Sequence, residues 1–517
     1  MLTRPAATRR RGRRLVAGLA AAVILATTAC SGSSDSDGGG TGGKTSLTLS
    51  TLTAPLSLDP SQLAEGQQAY LWSSIYDTLF SIDNDGTLNP NAAESWKYSE
   101  DARTLTITLR DGMKFSSGDP VNAAAVKATL ERTKATPGQQ QGKLTRVASI
   151  DAPDDRTVVI TLSAPDPSLL TNLAYATGVI GDPKTLNDKR TALDPVGSGP
   201  YVLDDATVNG TTYVLKKRDD YWNAKAYPFE RFTVRVIQDR TAGFNALRAG
   251  ELDVANVENP QVAQAKAAGF DVRTVKATAV AELVLADRNG TLLKPLADER
   301  VRRAINMAFD REKIVKTFLQ GSGQASVQLF NPKGVAYDAA LDSTYKYDPA
   351  AAKKLLAEAG YPNGFAVTMP STAVSKAFEP LVNQGLADIG ITVKWDPVPP
   401  QNTASSVASK KYPMIFFIVG LSTSDRELLD NYGPQGFLNP FGTTDAELDA
   451  LMTKAGTELD PAKSAALYQQ INRLTVEKAL NAPLFYIGTN WATAKGIEYL
   501  GTGANTMTTI RTFAPTA

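Results

Sequence analysis

The sequence predicts a mixed α/β protein whose folded body begins near residue 45 and divides into two or three domains. Three observations carry this expectation. Several segments alternate apolar and polar residues, as in "TLTITLR" (Thr104 to Arg110), where Leu105, Ile107 and Leu109 share one face of a half-buried strand. Others repeat apolar residues at helical spacing between a capping aspartate and a terminal glycine. Finally, at roughly 100–200 residues per domain, the chain beyond its N-terminal region fills two or three, and 43% hydrophobic residues suffice for sizeable cores.

The N-terminal region is not part of that body. Arg4, Arg9, Arg10, Arg11, Arg13 and Arg14 precede an apolar run from Leu15 to Ala26. A basic stretch, a short apolar stretch and small residues make a secretory leader over residues 1–29, and the run is shorter than the ~20 residues of a spanning helix. The sole cysteine, Cys30, follows "Thr27-Thr28-Ala29". This resembles the lipobox of bacterial lipoproteins, which implies that the Cys30 thiol carries lipid and becomes the new N-terminus. Residues 30–44 continue with six glycines and four serines and no apolar side chain beyond the cysteine, the composition of a flexible tether.

Composition excludes several chemistries. Removing the leader, with its six arginines and no acid, leaves 48 basic against 53 acidic residues, a net of −5. Nucleic-acid partners call for the opposite sign. The chain has no histidine. Ser-His-Asp hydrolysis, histidine-activated thiols and imidazole metal sites are therefore out of reach. No catalytic residue, metal site or cofactor is expected. "GGGTGGKT" (Gly38 to Thr45) satisfies the phosphate-loop pattern, but a tether precedes it and the strand-like "SLTLSTLT" follows it. The mechanism needs a strand before and a helix after.

Along the body, "RTVVITLS" and "FTVRVI" read as strands like "TLTITLR". In "DPAAAKKLLAEAGYPNG", Asp348 caps, Pro349 takes the first helical position and Gly360 ends the run, with Ala352, Leu355, Leu356 and Ala359 on one stripe. "DERVRRAINMAFDREKIVKTFL" reads as a helix through Val301, Ala304, Ile305 and Ala308.

The order of these blocks carries a resemblance. "ESWKYSEDARTLTITLRDGMKFSSGDPV" (Glu94 to Val121) resembles the segment that identifies the family 5 solute-binding proteins, the peptide- and nickel-type receptors of ABC importers. "VGSGPYVL" with "KKRDDYW", "FNALRAGELDVA", "LADERVRRAINMAFDREKI", "YKYDPAAAKKLLAEAGYPNGF", "GLADIGITVKW" and "YQQINRLTVEKALNAPLFY" follow in the family's order. The resemblance covers essentially all of residues 45–517. It implies a type II periplasmic-binding-protein fold, two ligand lobes around a hinge with an inserted third lobe. Domain I would comprise 45–81, 195–280 and 486–517; domain II, 82–194, would make no ligand contact; domain III would be 281–485. The ligand would lie between domains I and III.

In the same resemblance, peptide-binding members add the ligand as a strand. The matching segment is "MIFFIVGLSTSDRELLD", with Met414 to Val419 a buried strand and Gly420 allowing close approach of a ligand backbone. The candidate contacts are Val419, Gly420, Leu421, Ser422, Ser424 and Asp425. Where peptide binders place an amine-pairing aspartate, the direct offset gives Ser424, with Asp425 one residue later. Where some members carry an arginine for the ligand carboxylate, this chain has Ile418. Lys410 and Lys411 lie nearby and read equally as a solvated loop. From the first loop, Glu65, Gln67 and Gln68 are candidate contacts, whereas Tyr70, Trp72 and Tyr76 read as packing.

The expected function is thus a monomeric, lipid-anchored receptor on the outer face of the cell membrane. It would capture peptides or peptide-like solutes for a permease and its ATPase subunits, without enzymatic activity. Two alternatives stay open: a non-peptide solute (an opine, a sugar-type or an amine compound), and a sensor rather than an import component.

Overall fold

A computed structural model describes residues 43–517 apart from 400, 401, 435, 506 and 517. The leader, Cys30 and the tether up to residue 42 lie outside the described residues. The segment after Thr45 is a strand, Ser46–Thr51, as its alternation predicts.

A nine-stranded sheet organises the molecule. Its order runs Ile415–Gly420, Asp271–Val284, Ala482–Thr493, Val254–Val257, Ser46–Thr51, Arg231–Val236, Thr212–Lys217, Tyr201–Leu203, with Gly323–Ala325 added beside Ala482–Thr493. Two long antiparallel strands, Asp271–Val284 and Ala482–Thr493, pair along most of their length, with register shifts between Val275 and Ala279 and between Ala281 and Glu282. At the first shift Gly488 is packed so closely that a Cβ would stand 2.0 Å from the Ser322 carbonyl oxygen and 2.7 Å from that of Val275. Only glycine fits there.

Three large apolar cores lie along this frame. The first gathers Leu47, Leu49, Tyr70, Trp72, Phe232 and Trp491 among others. The second fills a separate four-stranded antiparallel sheet, Ala93–Tyr98, Thr104–Leu109, Thr157–Leu162 and Val147–Asp151 in that spatial order, backed by the helix Ala123–Ala135. That helix starts where the Asn122 side chain accepts the Ala125 N–H at 3.0 Å. The third core packs helices Glu299–Met307 and Pro349–Glu358 against Ala281, Leu283, Phe416 and Leu484.

Local chemistry explains several quoted blocks. In "VGSGPY" a Cβ on Gly197 would stand 2.0 Å from the Ile75 carbonyl oxygen, and one on Gly199 2.6 Å from its carbon, so both glycines permit this crossing. In "KKRDDYW" the buried Arg218 guanidinium donates to the carbonyls of Gly199, Lys114 and Phe115. Tyr221 donates to the buried Asp77 at 2.7 Å, and burial pushes the Asp77 carboxyl up to about 6. Asp348 accepts the Ala351 N–H at 2.8 Å and Ala352 and Leu356 face the core, as the capping pattern predicts.

One expectation changes. The run read as a single helix from Asp298 breaks after Met307 and restarts as Arg311–Thr317. Asp310 caps the second helix, and the buried Arg311 guanidinium donates to Asn306 and Pro483 carbonyls at 2.7 and 2.9 Å. A new cap and a buried cation outweigh continued helical periodicity.

Candidate functional site

The strand Ile415–Gly420 is the outermost of the nine-stranded sheet and lies antiparallel to Asp271–Val284, Gly420 opposite Ala279. The Leu421 N–H donates to the Thr278 carbonyl at 3.0 Å. In an antiparallel ladder this phase turns the N–H and C=O of Ile418 and Gly420 away from the sheet. The strand starts buried at Ile415 and Phe416, becomes half-buried from Phe417 to Val419, and ends exposed at Gly420. A Cβ at Gly420 would meet nothing within 4 Å. Among the described residues no strand occupies that outer side.

The chain then turns a corner into the helix Ser424–Tyr432. Leu421 is buried beside Ala277, Val280 and Tyr486. The Ser422 N–H donates to Glu427 at 2.9 Å, and the Asn331 N–H donates to the same carboxylate at 3.1 Å. Burial pushes Glu427 well above the usual carboxylate range, with these two bonds opposing the shift. Ser424 Oγ accepts the Ala336 N–H at 3.3 Å. Leu421, Ser422 and Ser424 therefore hold the corner itself, and Val419 and Gly420 stand on the open edge.

On the facing side, Gln67 Oε1 accepts the Leu52 N–H at 2.8 Å, and Gln68 Nε2 reaches the Ala54 carbonyl at 3.5 Å. Both glutamines brace the loop after the first strand. Glu65 instead joins a three-way ion cluster, paired with Lys143 and 3.6 Å from Arg426 Nη1. Arg426 also lies 3.8 Å from Asp430. Tyr70, Trp72 and Tyr76 are packing residues, at most 2% exposed; Trp72 Nε1 donates to the Ala64 carbonyl and the Tyr76 hydroxyl to that of Leu58. Lys411 is an exposed loop residue, 2.6 Å from Asp396.

Beyond this cluster opens a cavity of about 360 Å³, bounded by Lys143, Arg146, Asp166 and Asn172 on one side and Asp425, Asp430 and Tyr468 on the other. Of the sequence-derived candidates only Asp425 lines it. Burial pushes Lys143 down, with Glu65 opposing; burial pushes Asp166 and Asp430 up, with Arg146 and Arg426 opposing. Sequence reasoning did not find Lys143, Arg146, Asp166, Arg426 or Tyr468. They come from segments far apart in the chain, and none sits in a recognisable pattern. Among the described residues, no group of three or more Cys, Asp or Glu is arranged to hold a metal ion, and no helix is long and apolar enough to cross a membrane.

Comparison with known proteins accords with this architecture. The family described as "Bacterial extracellular solute-binding proteins, family 5 Middle" matches residues 87–439. The glutathione-binding protein GsiB of Escherichia coli (strain K12) is 28% identical over 448 residues, covering 83% of this chain and 86% of that protein. Among solved structures, HbpA2 from Haemophilus parasuis superposes with a TM-score of 0.80 at 23% identity, covering 91% of this chain and all of that one. AgaA from A. tumefacien R10, in complex with agropinic acid, superposes with a TM-score of 0.72 at 25% identity, covering 91% and 99%. The expected type II binding-protein fold is the fold observed. With a family match over most of its length, the chain belongs to the family 5 extracellular solute-binding proteins, the substrate-binding components of ABC importers.

Proposed function

We propose that this protein is a lipid-anchored receptor that captures peptides or peptide-like solutes outside the cytoplasm and delivers them to a membrane permease with its ATPase subunits. The observation that carries the reading is the open outer edge of Ile415–Gly420, which offers the Ile418 and Gly420 backbone groups to an added strand. The name of GsiB adds support, since glutathione is itself a small peptide. The lobe division at 45–81, 195–280 and 486–517, at 82–194 and at 281–485 is supported by the three apolar cores. The protein works as a monomer that binds and releases its ligand unchanged.

A strand-adding ligand needs its own N–H groups. A tetrapeptide that binds by calorimetry is expected to lose at least tenfold in affinity, about 1.4 kcal/mol, when the inward-facing amide is N-methylated. Equal affinity for both would end the strand-addition reading. A second reading is favoured by Ile418, which puts no cation beside the edge, and by the agropinic acid bound to AgaA: a non-peptide solute fills the cleft. Mass spectrometry of the material retained by purified protein separates the two. The anchor has its own test. Cys30→Ala protein is expected to be exported yet to leave the detergent phase, and continued partitioning would remove the lipid assignment.

A further inference from the structure

The inserted four-stranded sheet and the helices beside the outer strand have separate apolar interiors. The sheet's interior includes Leu144, Val147 and Leu169; that of the helices includes Leu428, Leu448, Ala455 and Tyr468, and no residue belongs to both. Between the two bodies lies the cavity of about 360 Å³. Bodies that meet without a large apolar interface are expected to move against one another. Among the described residues, two polar contacts span the gap. Arg146 Nη1 donates to the Gly456 carbonyl at 3.1 Å, and Arg426 Nη1 lies 3.6 Å from the Glu65 carboxylate.

Glu65 belongs firmly to the inserted body. The loop before it is held there by the Arg132 guanidinium, which donates to both Asp59 oxygens, and by Gln140 Nε2, which donates to the Leu63 carbonyl at 2.8 Å. Lys143, from the same body, takes one Glu65 oxygen, and Arg426 faces the other. Arg426 itself stands in the first turn of the helix Ser424–Tyr432. A cation there opposes the helix dipole, so the position gains its own helix nothing. Its partner within the helix is Asp430, at 3.8 Å. The Arg146 contact has the favourable sign, because it brings a cation to the C-terminal cap of the helix Ala446–Ala455.

We propose that these two contacts form a latch, by which the inserted sheet holds the helices across the cavity and sets the lifetime of the closed receptor. Each bridging cation has a second partner on its own side. When the bodies part, Arg426 keeps Asp430, and Glu65 keeps Lys143. Arg146 likewise keeps the Pro165 carbonyl of its own segment when that of Gly456 departs. Opening therefore strands no charge, and the latch can be made and broken repeatedly. The inserted sheet takes part in closure although it needs no contact with the ligand. The latch acts whatever solute is captured, so it does not rest on the peptide reading.

The test follows the two bodies directly, without ligand. Spin labels are attached at Lys97→Cys, on the strand Ala93–Tyr98, and at Lys463→Cys, on the helix Pro461–Glu477, in the Cys30→Ala mature chain. Both positions are exposed. At low salt the otherwise unchanged chain should show mainly one short distance. Arg426→Gln should raise the open-to-closed ratio about threefold, the effect of one partly exposed pair, and Arg146→Gln with Arg426→Gln about tenfold. Arg426→Lys should restore the original ratio. In about 1 M NaCl, where charge is screened beyond about 3 Å, the unchanged chain should approach Arg426→Gln, whose own ratio barely moves. An unchanged melting temperature certifies that Arg426→Gln is folded. Identical distances in both glutamine variants overturn the latch, as does a shift in Arg426→Gln that salt fails to reproduce in the unchanged chain. Stopped-flow fluorescence with tetra-alanine reads the consequence: dissociation about threefold faster in Arg426→Gln, with association unchanged. Equal dissociation rates would overturn the control of release. If tetra-alanine does not bind, the peptide reading suffers, and the label distances still decide the latch.

Discussion

The two sides of helix Ser424–Tyr432 present opposite kinds of surface. On one side the strand Ile415–Gly420 presents backbone groups among Phe417, Ile418 and Val419, with no charged side chain on the strand. On the other, Asp166, Asp425 and Asp430 with Lys143, Arg146 and Arg426 line a cavity wall, and Glu65 pairs with Lys143 beside it. Backbone hydrogen bonds are the same for every residue of an incoming chain, so the first surface tolerates variety. Buried charge left without a matching partner costs several kcal/mol, so the second surface is chemically the more exacting.

The largest expected effect attacks the charged side. The Lys143 side chain is only 9% exposed and its carboxylate partner Glu65 21%. Glu65→Gln leaves the lysine charged and unpaired, at a cost of about 3 kcal/mol, the low end for a broken buried pair. The double variant Glu65→Gln, Lys143→Met should recover most of that stability in urea melts. If the single change costs under about 0.5 kcal/mol, the cluster is only a surface pairing and the contrast between the two sides weakens.

A second effect lies beneath the neutral side. Glu282, opposite Phe417 in the ladder, is wholly buried with both carboxylate oxygens unbonded. Burial pushes it up to about 8, with the Arg288 guanidinium opposing. The folded protein therefore holds a proton there that the unfolded chain has released above about 4.5. Stability from this group is full below that value and declines as pH rises toward 8. Glu282→Gln should raise the melting temperature by several degrees at pH 9 and leave it unchanged near pH 4. A gain of equal size at both values would show that charge is not the cause.

The smallest effect sharpens the picture of the edge. A Cβ at Gly420 meets nothing, and its backbone is not in the left-handed region. Gly420→Ala should therefore shift stability by no more than about 0.5 kcal/mol. A large loss would mean that the edge is covered and not open.

Much of the fold was legible because it rests on local chemistry. Thr104–Leu109 alternates since one face is buried, and the helix Pro349–Glu358 carries its own cap and stop. The outer strand was legible as an apolar run, but nothing local says that its far side is open, which depends on the order of nine strands. Glu282 interrupts the run "AVAELVLA" without announcing that it is buried. The cavity was invisible for a similar reason. Its walls come from residues near 143, 166, 425 and 468, and only folding makes them neighbours. Gln67 and Gln68 had the right chemistry for ligand contacts, yet their amides are engaged by the adjacent backbone.

The path of the chain through the large sheet has a consequence for how the molecule is assembled. Ser46–Thr51 pairs with Arg231–Val236, and Val254–Val257 with Asn490–Thr493. By contrast, Ala93–Tyr98, Thr104–Leu109, Thr157–Leu162 and Val147–Asp151 find all their partners within one short stretch. Closing long loops before any contact rewards them is slow, whereas local pairings form early. The inserted sheet can therefore organise while its host is still incomplete. The first strand of the body must wait for residues near 236, and the sheet around it stays unfinished until Ala482–Thr493 emerges to join both halves.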